Sequence, residues 1–133
     1  MIGTSSHGQD ALLGRKVLVV EDDYFIADEM RRTLSRSGAE VLGPVASVDK
    51  ALALIAASSE IDAAVLDINL RDVMVFPVAD ALTSRGVPFI FATGYEDMAI
   101  PSRYAHVQRY EKPVEADALA QALSAEDSHH RSI

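Results

Sequence analysis

The chain has 133 residues, which is enough for one domain with a sizeable core and too few for two domains of ordinary size. Its composition is globular, with 49% hydrophobic and 24% charged residues, but 20 acids against 12 Lys and Arg leave a formal charge of −8. Nucleic acid is excluded as a direct partner, because an acidic surface repels a phosphate backbone and no run of Lys or Arg offers a basic face.

The absence of cysteine excludes disulfides and thiolate metal ligands, so nothing requires an oxidising compartment. The apolar runs have the length of strands, and none is long enough to cross a bilayer. No basic segment leads into an apolar signal region. We therefore expect a cytoplasmic protein with no membrane partner.

Apolar runs of strand length alternate with stretches of helical periodicity. The predicted strands cover 16–20, 40–42, 63–66, 87–92 and 106–110, and the predicted helices cover 24–37, 48–58, 78–85 and about 115–123. A fourth helix between Thr93 and His106 is predicted to be short, irregular and mobile, because Gly94 and Pro101 interrupt that segment. Residues 1–14 and 126–133 are mostly small and polar and are predicted to be tails, which leaves 15–125 as the folded domain.

This alternation predicts an α/β fold with a doubly wound, five-stranded parallel sheet. Continuously apolar strands joined by helical, right-handed crossovers indicate a sheet that is covered on both faces. In such a sheet the ligand site lies at the carboxyl ends of the strands, near the point where the strand order reverses.

Polar residues follow four of the five predicted strands. They are Glu21, Asp22 and Asp23 after the first strand, Asp67 and Asn69 after the third, Thr93 after the fourth and Lys112 after the fifth. Because the carboxyl ends of parallel strands meet at one edge of the sheet, we expect these residues to form one cleft. Any one of them alone has an ordinary explanation, and for Asp23 we prefer helix capping to a role in the cleft.

Carboxylates that are forced together repel one another unless a cation neutralises them. A site built only from oxygen ligands suits Mg²⁺ or Mn²⁺ rather than zinc. With Lys112 opposite the cation, an anion position would lie between two positive centres, and a phosphoryl group fits such a position. Asp67 is the best placed nucleophile, because aspartyl phosphates are known covalent intermediates.

Four motifs occur in order along the chain: VLVVEDD, AVLDINL, FIFATG and YEKP. Together they resemble the receiver domains of two-component response regulators over about residues 16–125. The resemblance implies a flavodoxin-like (βα)5 fold with strand order 2-1-3-4-5. It also implies that Asp67 is the phosphorylated aspartate, and that Glu21, Asp22, Asp67 and the main-chain carbonyl of Asn69 hold the metal ion. Glu21 stands where an aspartate is more common.

The resemblance further implies that Thr93 and Lys112 contact the phosphoryl oxygens, and that the peptide bond between Lys112 and Pro113 is cis. Most receivers carry an aromatic residue three positions before this lysine, and that residue turns inward when the threonine engages the phosphate. Here Arg109 occupies that position and Tyr110 follows it, so the usual coupling of the threonine to an aromatic residue does not carry over directly, and Arg109 and Tyr110 are both switch candidates.

The segment PFIFATGY at 88–95 is similar to the subgroup of receivers named for its Phe-Ala-Thr-Gly-aromatic-Tyr signature (FAT GUY). Members are typically single-domain proteins of alphaproteobacteria that are linked to histidine kinases of the HWE type. Tyr95 follows Gly94 directly and is either a packing aromatic or a switch element.

The main hypothesis is a stand-alone response regulator that accepts a phosphoryl group from a histidine kinase on Asp67. It would not be an enzyme beyond its own Mg²⁺-dependent phosphotransfer and dephosphorylation, and its output would be contact with a downstream protein or a phosphotransfer protein. An alternative is a receiver-like docking module with little phosphorylation-dependent switching. An aspartyl-phosphate phosphatase is disfavoured, because such an enzyme needs a second aspartate where Asn69 stands.

Overall fold

A five-stranded parallel sheet forms the centre of the computed structural model, which describes residues 12–94, 100–112, 121 and 123. The strands are β1 (Lys16–Val20), β2 (Glu40–Val45), β3 (Ala63–Asp67), β6 (Phe89–Thr93) and β7 (Arg109–Glu111), and a separate hairpin contains β4 (Asn69–Leu70) and β5 (Val73–Met74). The helices are α1 (Tyr24–Arg36), α2 (Val48–Ala57), α3 (Phe76–Ser84) and a short 3-10 helix (Ser102–Tyr104). The order β2-β1-β3-β6-β7 confirms the predicted arrangement, since it is 2-1-3-4-5 when only the strands of this sheet are counted.

Each face of the sheet has its own hydrophobic core. Alternate residues of a strand point to opposite faces, so Leu18 joins a cluster with residues of α2 and α3, whereas Val17 and Val19 join a cluster with α1. The central strand β3 is buried along its whole length. The doubly wound architecture therefore follows directly from the apolar strands of the sequence.

The first two helices begin at side-chain caps. The Asp23 carboxylate accepts hydrogen bonds from the backbone N–H groups of Phe25 and Ile26, at 2.9 and 3.1 Å, which confirms the capping role predicted for Asp23. Ser47 caps α2 by accepting from the N–H of Lys50 at 3.2 Å. These caps fix the point at which the chain turns away from the sheet edge.

Four elements differ by two residues or more from the boundaries predicted by the sequence. Strands β6 and β7 begin two and three residues later than predicted, and β2 and α3 also differ. Strand β2 continues to Val45 rather than stopping at residue 42, because a shift in register between Leu18 and Val20 of β1 accommodates the Gly43-Pro44 pair. Helix α3 begins two residues earlier than predicted, with a proline in its first turn, a position where the missing N–H costs nothing.

The hairpin after β3 was not predicted. Asn69 pairs with Met74 and Leu70 with Val73, which leaves Arg71 and Asp72 as a two-residue turn. Both turn residues have positive φ, 54° and 71°, as a two-residue turn of type I′ requires. Glycine or asparagine usually marks such a turn, and neither stands at these two positions, so the turn could not be predicted from the pattern of residues.

The connection between β6 and β7 agrees with the predicted irregular fourth helix in its described part. Residues 100–108 contain only the 3-10 helix at Ser102–Tyr104. Residues 95–99 lie outside the described residues, as does the predicted C-terminal tail. Of the predicted closing helix, Gln121 and Leu123 are described and are helical. Within the described part of the chain, no helix is long and apolar enough to cross a membrane.

The last residues of the predicted N-terminal tail belong to the folded domain. Leu12 is 2% exposed, lies in the core cluster on the α1 face and donates its N–H to the carbonyl of Ser37 at 2.8 Å. Leu13, the next residue, is 70% exposed. The expectation of a tail is therefore wrong for Leu12, whereas residues 1–11 lie outside the described residues.

We predict that Leu12→Ala lowers the free energy of unfolding by about 2–4 kcal/mol, because the substitution leaves a cavity in the core. The matched control Leu13→Ala should change it by less than about 0.5 kcal/mol, since that side chain is mostly in water. Urea unfolding of both variants measures the difference. Equal losses in the two variants would contradict the assignment of Leu12 to the core.

Candidate functional site

Three carboxylates meet at the carboxyl ends of β1 and β3. These strands are neighbours, with Val20 paired to Leu66, so Glu21 and Asp22 after β1 come close to Asp67 at the end of β3. One oxygen of each carboxylate lies within 4.8 Å of the others. Glu21 and Asp67 are buried, at 2% and 5% exposure, so their charges are poorly solvated.

Lys112 supplies positive charge to the two buried acids. Its Nζ lies 2.7 Å from Oε1 of Glu21 and 3.1 Å from Oδ2 of Asp67. The backbone N–H of Lys112 donates to the carbonyl of Thr93 at 2.8 Å, which continues the pairing of β6 with β7 beyond Glu111. The edge strand thereby delivers its lysine to acids that lie near the middle of the sheet.

The second oxygen of each buried carboxylate accepts a backbone hydrogen bond. Oε2 of Glu21 accepts from the N–H of Asp23 at 3.0 Å, and Oδ1 of Asp67 accepts from the N–H of Asn69 at 3.2 Å. Both oxygens of each acid thus have a donor, as buried carboxylates require. The two side chains are held in place from both sides.

The pKa values of Asp67 and Lys112 reflect first their burial and then the charges packed beside them. Burial is the largest cause that raises the pKa of the Asp67 carboxyl to about 7, and the negative charge of Glu21 adds to it, while Lys112 opposes the shift. For Lys112, burial acts to lower the pKa, but the hydrogen bond and charge of Glu21 and the charge of Asp67 outweigh it and raise the pKa overall. The positive charge of Lys112 therefore does not fully offset the burial of Asp67 and the negative charge of Glu21.

The donor set fits a hard divalent cation. Glu21, Asp22 and Asp67 offer only oxygen atoms, which are the ligands that Mg²⁺ and Mn²⁺ prefer. The Asp22 side chain is 17% exposed, so the cluster is open to solvent on its side. Asn69 lies beside this cluster through its hydrogen bond to Asp67, and the metal-binding role of its carbonyl stays a prediction.

The structure also gives positions for the remaining predicted site residues, except Tyr95, relative to the acidic cluster. Thr93 ends β6, half-buried, one residue beyond Ala92, the register partner of Asp67. Arg109 is exposed on β7, and Tyr110 packs against the α1-side core with its hydroxyl donating to Gln108 at 2.6 Å. Tyr95 lies outside the described residues. The switch roles of these residues stay predictions.

Sequence reasoning missed Tyr104, which is 4% exposed. Its ring stacks on Phe76 with 6.1 Å between centroids and meets Phe89 and Phe91 edge-on, at 5.7 and 6.1 Å. Its hydroxyl donates to Asp80 on α3. No periodicity marks a residue of a 3-10 helix, so only its aromatic character could have drawn attention to it.

Arg103 completes this contact. Its Nε and Nη2 donate to the two carboxylate oxygens of Asp80, at 3.0 and 3.2 Å, and its guanidinium lies 4.8 Å from the centroid of the Tyr104 ring. We name Asp80, Arg103 and Tyr104 the Asp80 clasp. It fastens the segment between β6 and β7 to helix α3.

The parallel sheet with acids and a lysine at one edge has the architecture of a signalling receiver domain. The model of the response regulator receiver domain family matches residues 17–124, most of the chain. The chain therefore belongs to the response regulator receiver domain family, which serves in two-component signalling and is not a classical enzyme family.

Two solved structures of the regulator SdrG are among the similar proteins. The solution structure of SdrG from Sphingomonas melonis Fr1 is 40% identical, with a TM-score of 0.74, and the alignment covers 86% of this chain and 96% of that one. The BeF3-activated conformation of SdrG from Pseudomonas melonis Fr1 is 39% identical, with a TM-score of 0.68, over 83% of this chain and 93% of that one. Each alignment therefore covers most of both chains.

A longer relative is the sensory transduction protein LytT of Bacillus cereus. It is 32% identical over 112 residues, which are 81% of this chain and 45% of that protein. The chain thus spans about half the length of this curated relative.

We predict that metal-free protein loses stability as the pH rises, relative to Asp67→Asn. The folded-state pKa of Asp67 is about 7 against an ordinary value of 3.8, so the folded chain binds more protons than the unfolded chain between these values. The stability that this proton provides is complete below the ordinary pKa of 3.8 and is lost as the pH rises towards the folded-state pKa of about 7.

Urea unfolding in EDTA measures this effect. From about pH 5 to about pH 8 the free energy of unfolding of the wild type should fall by about 1–3 kcal/mol relative to Asp67→Asn. A difference between the two proteins that does not vary with pH would contradict the raised pKa.

Proposed function

We propose that the chain is a response regulator whose Asp67 accepts a phosphoryl group from a histidine kinase. The observation that carries this proposal is the buried Asp67 carboxylate, which is paired with Lys112 and adjoins Glu21 and Asp22. A structural acid would have no reason to be buried beside two others, since that placement costs stability. A nucleophile in such a setting is held and oriented for reaction.

The proposed cation is Mg²⁺, or Mn²⁺, held by the carboxylates of Glu21, Asp22 and Asp67 and by the main-chain carbonyl of Asn69. When bound, it would neutralise charge on the phosphoryl oxygens in the transition state. The all-oxygen donor set of these residues supports the assignment. Receiver domains in general bind Mg²⁺ through such an acidic pocket.

In the proposed transfer, an oxygen of Asp67 attacks the phosphorus of a phosphohistidine. The new P–O bond forms while the P–N bond breaks, and the imidazole leaves with the electron pair of the broken bond. Asp67 must be ionised to attack, and the Lys112 ammonium 3.1 Å from its Oδ2 favours the ionised form. Lys112 and the hydroxyl of Thr93 would then contact the phosphoryl oxygens.

The proposed output is contact with a protein partner. The formal charge of −8 disfavours nucleic acid. The alignments cover 93% or more of the two SdrG chains, which supports the proposed action as a single receiver. The FATG sequence at 91–94 supports membership of the FAT GUY subgroup, and hence a histidine kinase of the HWE type as partner. A cytoplasmic location is part of this proposal.

A second candidate function is a docking module that switches little on phosphorylation. It is favoured by Arg109, which is exposed at the position where most receivers carry the switch aromatic. The Asp80 clasp supports it too, because Tyr104 fills the aromatic cluster and is held there by hydrogen bonds.

We predict that acetyl phosphate or phosphoramidate with Mg²⁺ adds one phosphoryl group to the wild type and none to Asp67→Asn. The reason is that Asp67 is the proposed nucleophile, a buried carboxylate with Lys112 as partner and two adjoining acids. Intact-mass spectrometry measures the product. Asp49→Asn, which removes an exposed carboxylate of α2, is the matched control and should be labelled like the wild type. Labelling of Asp67→Asn, or none of the wild type, would refute the proposal.

We also predict that Mg²⁺ raises the melting temperature, because it binds the folded state alone. At ten times its Kd the gain is about 1.4 kcal/mol, or a few degrees. Asp22→Ala should lose most of this gain, whereas Asp49→Ala should keep it. A melting temperature of the wild type that does not respond to Mg²⁺ would show that the metal assignment is wrong.

A further inference from the structure

We propose that Arg71 competes with the divalent cation for Asp22 and so weakens cation binding at the acidic site. This inference rests on the cation site proposed above and adds a residue that sets the affinity of that site. It concerns only the charge balance at Asp22 and leaves the transfer chemistry at Asp67 as described.

The positive charges of the site are divided between two residues. Lys112 pairs with Glu21 and Asp67, the two buried acids. The third acid, Asp22, is paired with Arg71, whose Nε lies 3.4 Å from Oδ2 of Asp22. The Asp22 carboxylate, on the outer side of the cluster, is therefore paired with the guanidinium of a hairpin residue.

The backbone holds Arg71 at this place. Arg71 and Asp72 both have positive φ, a conformation that costs energy for residues with a side chain. The turn is fixed by the Asn69 side chain, which accepts from the N–H of Asp72 at 2.7 Å, while the N–H of Asn69 donates to Asp67. A chain of hydrogen bonds thus ties the position of Arg71 to the acceptor aspartate.

The guanidinium of Arg71 and a bound divalent cation cannot both interact fully with the Asp22 carboxylate. A cation on the cluster uses the Asp22 carboxylate as a ligand, and the nearby guanidinium charge repels it. Arg71 is 82% exposed, so water and salt screen its charge and the side chain is free to move away. The effect on affinity is accordingly modest, and we expect about a three- to tenfold change in Kd.

The test is a titration of each protein with Mg²⁺ alone at fixed ionic strength. Isothermal titration calorimetry measures the Kd. Arg71→Gln removes the charge and keeps most of the side chain, and its Kd should be about three- to tenfold lower than that of the wild type. Arg71→Lys keeps the charge and should stay within about twofold. The matched control is Arg32→Gln, which removes an arginine that is paired with Asp28 on α1, and it should also stay within about twofold.

A double-mutant cycle tests the route through Asp22. In an Asp22→Asn background, Arg71→Gln should change the Kd by less than about twofold, because the shared carboxylate is gone. The proposal is overturned if Arg71→Gln leaves the Kd for Mg²⁺ unchanged or raises it. It is also overturned if Arg32→Gln or Arg71→Lys lowers the Kd as much as Arg71→Gln does. A third contradicting result is a Kd that Arg71→Gln still lowers in the Asp22→Asn background. If the wild type itself binds no Mg²⁺, the cation site of the proposed function fails as well, so the two failures are distinguishable.

Discussion

The rest of the site depends on the ion pairs that the ammonium group of Lys112 forms with Glu21 and Asp67. Two carboxylates with so little exposure would be costly without a cation between them. The lysine reaches them only because β7 is in register with β6, so the position of the edge strand and the charge balance of the centre are linked. Even so, the cluster of Glu21, Asp22, Asp67, Lys112 and Arg71 keeps one more acid than base.

Much of the fold could be predicted, because the strands are apolar runs and the rule for parallel sheets then places their ends together. Leu12 could not be placed, since a single leucine in a polar segment carries no periodicity. The continuation of β2 past Gly43 depends on a register shift in its neighbour, which is a property of two strands and not of one sequence segment. Turn residues Arg71 and Asp72 lack the usual chemistry of a tight hairpin.

The acids and the lysine of the site could be predicted from their positions after the strands, but their partners could not. The sequence does not show that Lys112 contacts two acids rather than one, or that Arg71 matches the third. These pairings depend on side-chain reach and on the hairpin that brings Arg71 to the rim. Tyr104 was missed for a similar reason, because its burial arises from packing between elements that are distant in sequence.

The Asp80 clasp has a consequence for the shape and charge of the surface. One carboxylate accepts from both the tyrosine hydroxyl and the guanidinium, so a displacement of their segment away from α3 breaks both contacts. A displacement of this segment would separate Arg103 from Asp80 at the surface. It would also withdraw the ring of Tyr104 from the phenylalanines in the core. One movement would therefore alter both the electrostatic pattern that a partner meets and the packing density beneath it.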